Sequence, residues 1–279
     1  MNFENEVRTA YNRMHSYAIR DSRVYVNHNK NVYPEVLNCI TDEKKISQRV
    51  DAGIMNIPLD RIAGVAGTSE RDTCCTRDFL PLAPEDSAFA ETWRSLYQDC
   101  FSEEGIRNPI DCYEYLGRFY VVDGVKRVSV YKCFGITTIS ARVTRLMPKE
   151  NDDPEVKRYI QFLEHLRLTG LYQISFHHPE NFEKLQAALG HEQDYAWTKE
   201  DQFGFMLCWY GFEMAFKRVF GDDQFVTAAD VLTTLLEEYS YRDIITMHPG
   251  ELVKVLRITQ NKIYDGVQVN VMDVFPRAS

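Results

Sequence analysis

Residues Phe119 to Gly135 read FYVVDGVKRVSVYKCFG, and the rest of the chain is best read outward from them. Phe119, Tyr120, Val121 and Val122 are β-branched or aromatic and predict a strand. Asp123-Gly124 breaks it. Apolar residues then recur at Val125, Val128, Tyr131 and Phe134, with Val130 beside them, which is the spacing of one helix face. Gly135 is a left-handed stop for that helix. The order is strand, tight turn, helix. Lys126 and Arg127 fall in the first helical turn, where unpaired backbone N–H groups and the positive end of the dipole already lie. Cations there oppose the dipole, so helix propensity does not explain them, whereas an anion docked at the turn would. The plainer reading is two solvated surface cations.

The flanks extend the pattern. Asn108-Pro109-Ile110 leads into a strand through Tyr115, and Leu116-Gly117-Arg118 reads as a hairpin turn. Ile139 to Arg145 alternates as a further strand. With Val122-Asp123-Gly124-Val125-Lys126-Arg127-Val128 between them, these segments resemble the ParB/sulfiredoxin superfamily. Its pattern is a Pro-Ile strand, a second strand, Gly-x-[Arg/His]-Arg, a helix ending in Gly and another strand. In ParB the turn reads Gly-Glu-Arg-Arg and holds the triphosphate of CTP; in sulfiredoxin it reads Gly-Cys-His-Arg and the Cys does the chemistry. A small-molecule kinase branch carries Asp-Gly-His with an Arg nearby. DGVKRVSV, from Asp123 to Val130, is most similar to a bacterial branch reading Asp-Gly-x-[His/Lys]-Arg-Val-Ser-Val with a helical C-terminal region.

The resemblance implies a nucleotide or other phosphate ligand on Gly124, Val125, Lys126 and Arg127. Arg71 or Arg77 would approach it from the loop Gly64 to Pro84, and a nucleoside triphosphate with magnesium is the implied cofactor. The departures carry weight. Val125 replaces the Glu of ParB and the nucleophilic Cys of sulfiredoxin, which argues against CTP hydrolysis and against sulfinic-acid reduction. Cys133 lies two turns down the helix and cannot stand in. Lys126 keeps a positive point charge but lacks a bidentate fork or a titratable ring.

The chain has 279 residues, is 44% hydrophobic and carries 16 Tyr and 16 Phe. That length predicts one or two domains with a real core. No apolar run approaches a membrane span, and Met1 to Ala10 is too charged for a signal peptide. The seven cysteines are odd in number and lack any Cys-x-x-Cys pair. Reduced thiols, a cytoplasmic location and no metal site are expected. His177-His178 with His191 has no recognised ligand spacing. Residues 1–149 carry 20 basic and 20 acidic side chains, and residues 150–279 carry 12 and 21. The acidic second part would repel a phosphate backbone, which disfavours DNA.

In order along the chain, Glu4 to Ile19 predicts a helix, Arg23 to Val26 a short strand, Thr41 to Val50 a short helix and Ile54 to Asp60 a strand. Asp86 to Cys100 is an amphipathic helix. Asn151 to Pro154 is the best boundary. Beyond it, Pro154 to Leu168, Pro179 to Leu189, Thr198 to Phe220, Thr227 to Glu238 and His248 to Ile258 read as helices. Tyr172 to Phe176 and a tail with Val267, Val269 and Val271 read as strands. In Thr198 to Phe220 the residues Phe203, Phe205, Met206, Trp209, Tyr210, Phe212 and Phe216 read as core.

The expected fold is α+β: an N-terminal helical extension (1–53), a small mixed ParB/sulfiredoxin-like sheet with helices (54–149) and an acidic, mainly helical domain (150–279). Three functions compete. The favoured one is a nucleotide-responsive regulatory or DNA-partition-like protein, its helical domain meeting a protein partner. The second is a small-molecule kinase in which Asp123 is the catalytic base or metal orienter, with Glu104 assisting. The third is a structural module, in which Lys126 and Arg127 would pair with acids of the chain itself. A nuclease would need clustered carboxylates for metal ions, and Asp123 alone lies near the turn.

Overall fold

The strand read from Phe119 onward is β5 of a computed structural model that describes residues 3–67, 73–103, 105–221 and 226–274; of residues 261 and 263–274 it describes the backbone only. The chain divides into two units, Met1–Asn151 and Asp152–Ser279.

In the first unit α1 (Phe3–Asn27) precedes β1 (Glu35–Val36), α2 (Leu37–Ile40), β2 (Ile46–Pro58) and β3 (Ile62–Val65). Then come α3 (Ala88–Asp99), the hairpin β4 (Ile110–Tyr115) and β5 (Arg118–Asp123), α4 (Val125–Cys133) and β6 (Thr138–Pro148). The six strands form one mixed sheet in the order β1-β3-β5-β4-β6-β2. β5 lies inside it, parallel to β3 and antiparallel to β4. Phe119, Tyr120 and Val121 are consecutively buried, as in a strand covered on both faces. Leu116 (φ 51°) and Gly117 (φ 76°) form the two-residue hairpin turn, with both central residues left-handed as such a turn requires.

A buried ion pair fixes the hairpin to β6. Glu114 is fully buried; it accepts from the Gly117 N–H at 2.9 Å and from Arg145 Nε at 2.5 Å. On the helical side, Tyr11 and Met14 of α1, Phe89 and Trp93 of α3 and Val130 of α4 share one apolar cluster. Trp93 Nε1 donates to the buried Ser129 hydroxyl at 3.0 Å, tying α3 to α4.

Three local expectations in this unit are corrected. Arg23 to Val26 continues α1 as helix. Thr41 to Val50 is a single 3-10 turn, Glu43–Lys45, capped by Asp42 accepting from the Lys44 and Lys45 N–H groups. The strand begins at Ile46 rather than Ile54, because β2 is an edge strand paired only with β6. Gln48 on one face and Arg49 and Asp51 on the other are all exposed, which blurs the apolar alternation that signals a strand.

The second unit is helical: α5 (Pro154–Thr169), α6 (Asn181–Ala188), α7 (Lys199–Phe220), α8 (Ala228–Leu235), α9 (Tyr241–Thr246) and α10 (Pro249–Val274). Its core joins Leu185, Phe205, Trp209, Phe212, Leu232, Leu235 and Leu256. The buried Asp230 carboxylate accepts from the His177 N–H (2.8 Å), the Asn181 amide (3.0 Å) and the Thr227 hydroxyl (2.6 Å), fastening the loop before α6 to the start of α8. Tyr172, Ile174 and Phe176 are buried in alternation, yet no strand forms there. The tail read as a strand at Val267, Val269 and Val271 is backbone of α10. Without a neighbouring ladder a lone strand leaves its N–H and C=O groups unpaired, whereas a helix pairs them internally. Phe203 and Tyr210, read as core, are exposed. Among the described residues no helix is long and apolar enough to cross a membrane.

Candidate functional site

The turn after β5 forms part of the wall of a cavity of about 930 Å³. Asp123 to Arg127 line it together with Arg107 and Asn108 before β4, and with Phe89, Thr92 and Asp99 from α3. Ala66 and Gly67, which follow β3, also reach it.

Gly124 makes the turn possible. Its φ of 116° lies on the left-handed side, and a Cβ would stand 2.4 Å from Cγ2 of Ile110. A side chain here would be strained by its backbone and would collide with β4. The next residues enter α4 with no side-chain cap at its N-terminus and no acid in its first turn. The Val128 N–H reaches the Gly124 carbonyl at 3.1 Å, closing the first turn. Helices α5, α7, α8 and α9 instead begin on Asp153, Thr198, Thr227 and Ser240, each accepting from a backbone N–H, and each has an acid in its first turn. The start of α4 therefore keeps its dipole and its donors facing outward.

The two adjacent cations do different things. Arg127 is 14% exposed along its side chain, and its guanidinium is used internally. Nη1 donates to the carbonyls of Asn108 (2.7 Å) and Pro109 (2.6 Å), and Nη2 to Asp123 Oδ2 (2.6 Å). It clamps the turn to the segment entering β4. Lys126 has no ion-pair partner among the described residues; its Nζ lies 5.5 Å from the centre of the Phe89 ring. Such a placement is favourable for an ammonium. The structural-module expectation, that both cations pair with acids of the chain, is met for Arg127, whereas Lys126 pairs with no acid among the described residues. The wall is of mixed sign, with Asp99 and the exposed Asp123 beside Lys126, Arg107 and Arg127.

Of the other sequence candidates, Gly124 and Val125 line the cavity. Arg77 is not among the lining residues; its guanidinium lies over Tyr25, 5.8 Å from the ring centre. Arg71 and Glu104 lie outside the described residues. Sequence reasoning missed Arg107, Asn108 and the α3 residues. The signal for Arg107 was its position just before Asn108-Pro109, the segment that Arg127 grips.

All seven cysteines are free. Burial raises the Cys133 thiol and pushes that of Cys112 up to about 12. Burial also drives Cys75 far above its ordinary value. These groups are thiols rather than nucleophilic thiolates at neutral pH. Among the described residues no group of three His, Cys, Asp or Glu side chains could hold a metal ion.

No protein-family model and no curated protein matches the chain. Among solved structures it is similar to sulfiredoxin from Arabidopsis thaliana, at 19% identity and a TM-score of 0.23, over 38% of this chain and 96% of that one. At that TM-score the likeness carries no weight for chemistry or ligand.

Proposed function

We propose that the Gly124–Arg127 turn binds the phosphate group of a nucleotide-like ligand, and that the protein acts as a nucleotide-responsive regulator. The observation that carries this reading is one coincidence: a cavity of about 930 Å³ opens on a helix N-terminus that has no side-chain cap and carries Lys126 in its first turn. That volume is in the range of about 300–1,000 Å³ of small-molecule sites. Unpaired N–H groups and a dipole end favour an anion, and Lys126 adds a point charge that has no ion-pair partner among the described residues.

The roles divide accordingly. Lys126 neutralises the ligand's phosphate. Arg127 is a positioning residue that holds the Asp123–Gly124 turn against Asn108 and Pro109. Arg107 lies in the same wall as a second cation, and magnesium would arrive with the phosphates.

The test is thermal stability of the full chain against a panel of nucleoside di- and triphosphates, with and without magnesium. Ligand binding to the folded state alone stabilises by about 2.7 kcal/mol at a hundred times its Kd. A shift selective for one nucleotide, lost in Lys126→Ala, supports the reading. No shift with any nucleotide, or a shift unchanged by Lys126→Ala, overturns it. Product analysis of the shifting nucleotide then separates a switch from a phosphotransferase using Asp123.

A further inference from the structure

Helix α7 is apolar on two faces. One face packs Phe205, Trp209, Phe212 and Phe216 into the core of its unit. The other exposes Phe203 (67%), Leu207 (65%), Tyr210 (39%) and Met214 (74%). Their spacing of four, three and four residues makes a continuous seam on one side of a helix, the spacing with which one helix packs against another. No charged residue occurs between Asp201 and Glu213, so nothing on this helix protects the seam from association.

Two glycines lie beside the seam. Gly204 and Gly211 are exposed, one heptad apart and interior to the helix, where glycine costs about 1 kcal/mol against alanine. A Cβ at either would meet nothing within 4 Å. No intramolecular contact requires glycine at these positions, whereas a second helix approaching closely would.

The ends of the seam carry opposite charges. Glu200 is exposed in the first turn, and Lys217 and Arg218 are exposed in the last. Lys217 pairs with Glu213 of the same helix at 2.9 Å; Glu200 and Arg218 have no ion-pair partner among the described residues. At about 100° per residue both project from the same edge of the seam. Same-edge residues meet in an antiparallel pair of identical helices. The pairs Glu200/Arg218, Phe203/Met214 and Leu207/Tyr210 all centre near residue 209, as one two-fold axis demands.

We propose that the chain self-associates through α7, two copies packing antiparallel about a two-fold axis with Glu200 of each copy facing Arg218 of the other. In a parallel pair Glu200 and Arg218 would stay at opposite ends of the interface and on opposite edges, so neither would meet the other, and this arrangement is disfavoured. The occupant of this face is a second copy because the seam complements itself in both shape and charge.

The test measures the mass of the full chain by light scattering after gel filtration and the dimer dissociation constant by sedimentation. A dimer is expected. Leu207→Glu should give a monomer whose circular-dichroism melt still shows a folded chain. Glu200→Arg and Arg218→Glu should each weaken association by about tenfold, the worth of two partly exposed ion pairs, and the double swap should restore it. Gly211→Ala should raise the melting temperature of the monomer while weakening the dimer. A wild-type chain that stays monomeric, with or without binding to lipid vesicles, overturns the proposal. A dimer indifferent to Leu207→Glu and to both charge swaps overturns it as well.

Discussion

The two units handle buried polarity in opposite ways. In the first, charges are drawn inward: Glu114 and Arg145 form a buried ion pair, and Arg127 spends its guanidinium on two carbonyls and a carboxylate. In the second, the buried Asp230 is satisfied by neutral donors, and His165 sits against Phe182 with ring centres 4.1 Å apart. The first unit opens a concave, mixed-charge cavity; the second shows an apolar helix face. A mixed-charge cavity suits a small charged ligand, and an apolar stripe suits another helix.

The sharpest way to break this comparison is at the buried ion pair. Arg145→Met removes the cation from the fully buried Glu114 carboxylate, and breaking such a pair costs up to about 3–5 kcal/mol. The loss should fall on the first unit alone: hydrogen exchange in β4 and β6 should accelerate while α7 keeps its protection. Equal loosening of both units would refute the division. Adding Glu114→Gln should recover much of the loss, since no charge then remains buried.

Next comes the turn. Gly124→Ala forces a Cβ toward Ile110 at a left-handed φ. The backbone term is about 1–2 kcal/mol and overpacking adds about 1–3 kcal/mol. A melting temperature within a degree or two of wild type would show that the turn can shift, contrary to the packing seen here.

Lys126 and Arg127 then sharpen the contrast between a ligand cation and a clamp. Arg127→Met should lower the stability of the first unit by about 1.5–3 kcal/mol, the worth of a hydrogen-bonded charge. Lys126→Ala should leave the melting temperature of the free protein nearly unchanged and weaken nucleotide binding by about 1.5–3 kcal/mol, or roughly 10–100-fold. If the two variants behaved alike in both measurements, the assignment of separate roles would fail.

The last contrast is a pH dependence of the second unit. Burial lowers the His165 pKa from its ordinary 6.5 to about 4. The unfolded chain then binds a proton that the folded chain refuses, so stability is full above pH 6.5 and declines as pH falls from 6.5 toward 4. His165→Phe should flatten that decline in thermal melts between those limits. An unchanged slope would place the acid sensitivity elsewhere.

Local signals were legible in the residues themselves. Val125 to Gly135 shows its helix and its stop because apolar spacing and a left-handed glycine are properties of the local chain. Thr198 with Asp201 announces the capping box of α7 for the same reason. The α+β class and the change to helices after residue 150 follow from periodicity. Long-range pairing was not legible. The polar Gln48, Arg49 and Asp51 belong to a strand only because β6 lies beside them. Tyr172 to Phe176 alternates like a strand but is not one.

The same divide runs through the candidate site. The residues of the Asp123–Arg127 turn were readable, because a glycine turn followed by cations at a helix start is a local pattern. That Arg127 would turn inward to Asn108 and Pro109 was decided by the packing of β4 against the turn. Arg107 and Asp99 joined the cavity only through the fold. Sequence spacing also placed both aromatic faces of α7 together as core, since period alone marks an apolar residue without saying which neighbours arrive to cover it. The chain determines where helices start and which stripes are apolar; tertiary packing decides which charges find partners and which stripe stays exposed, because those outcomes depend on segments distant in sequence.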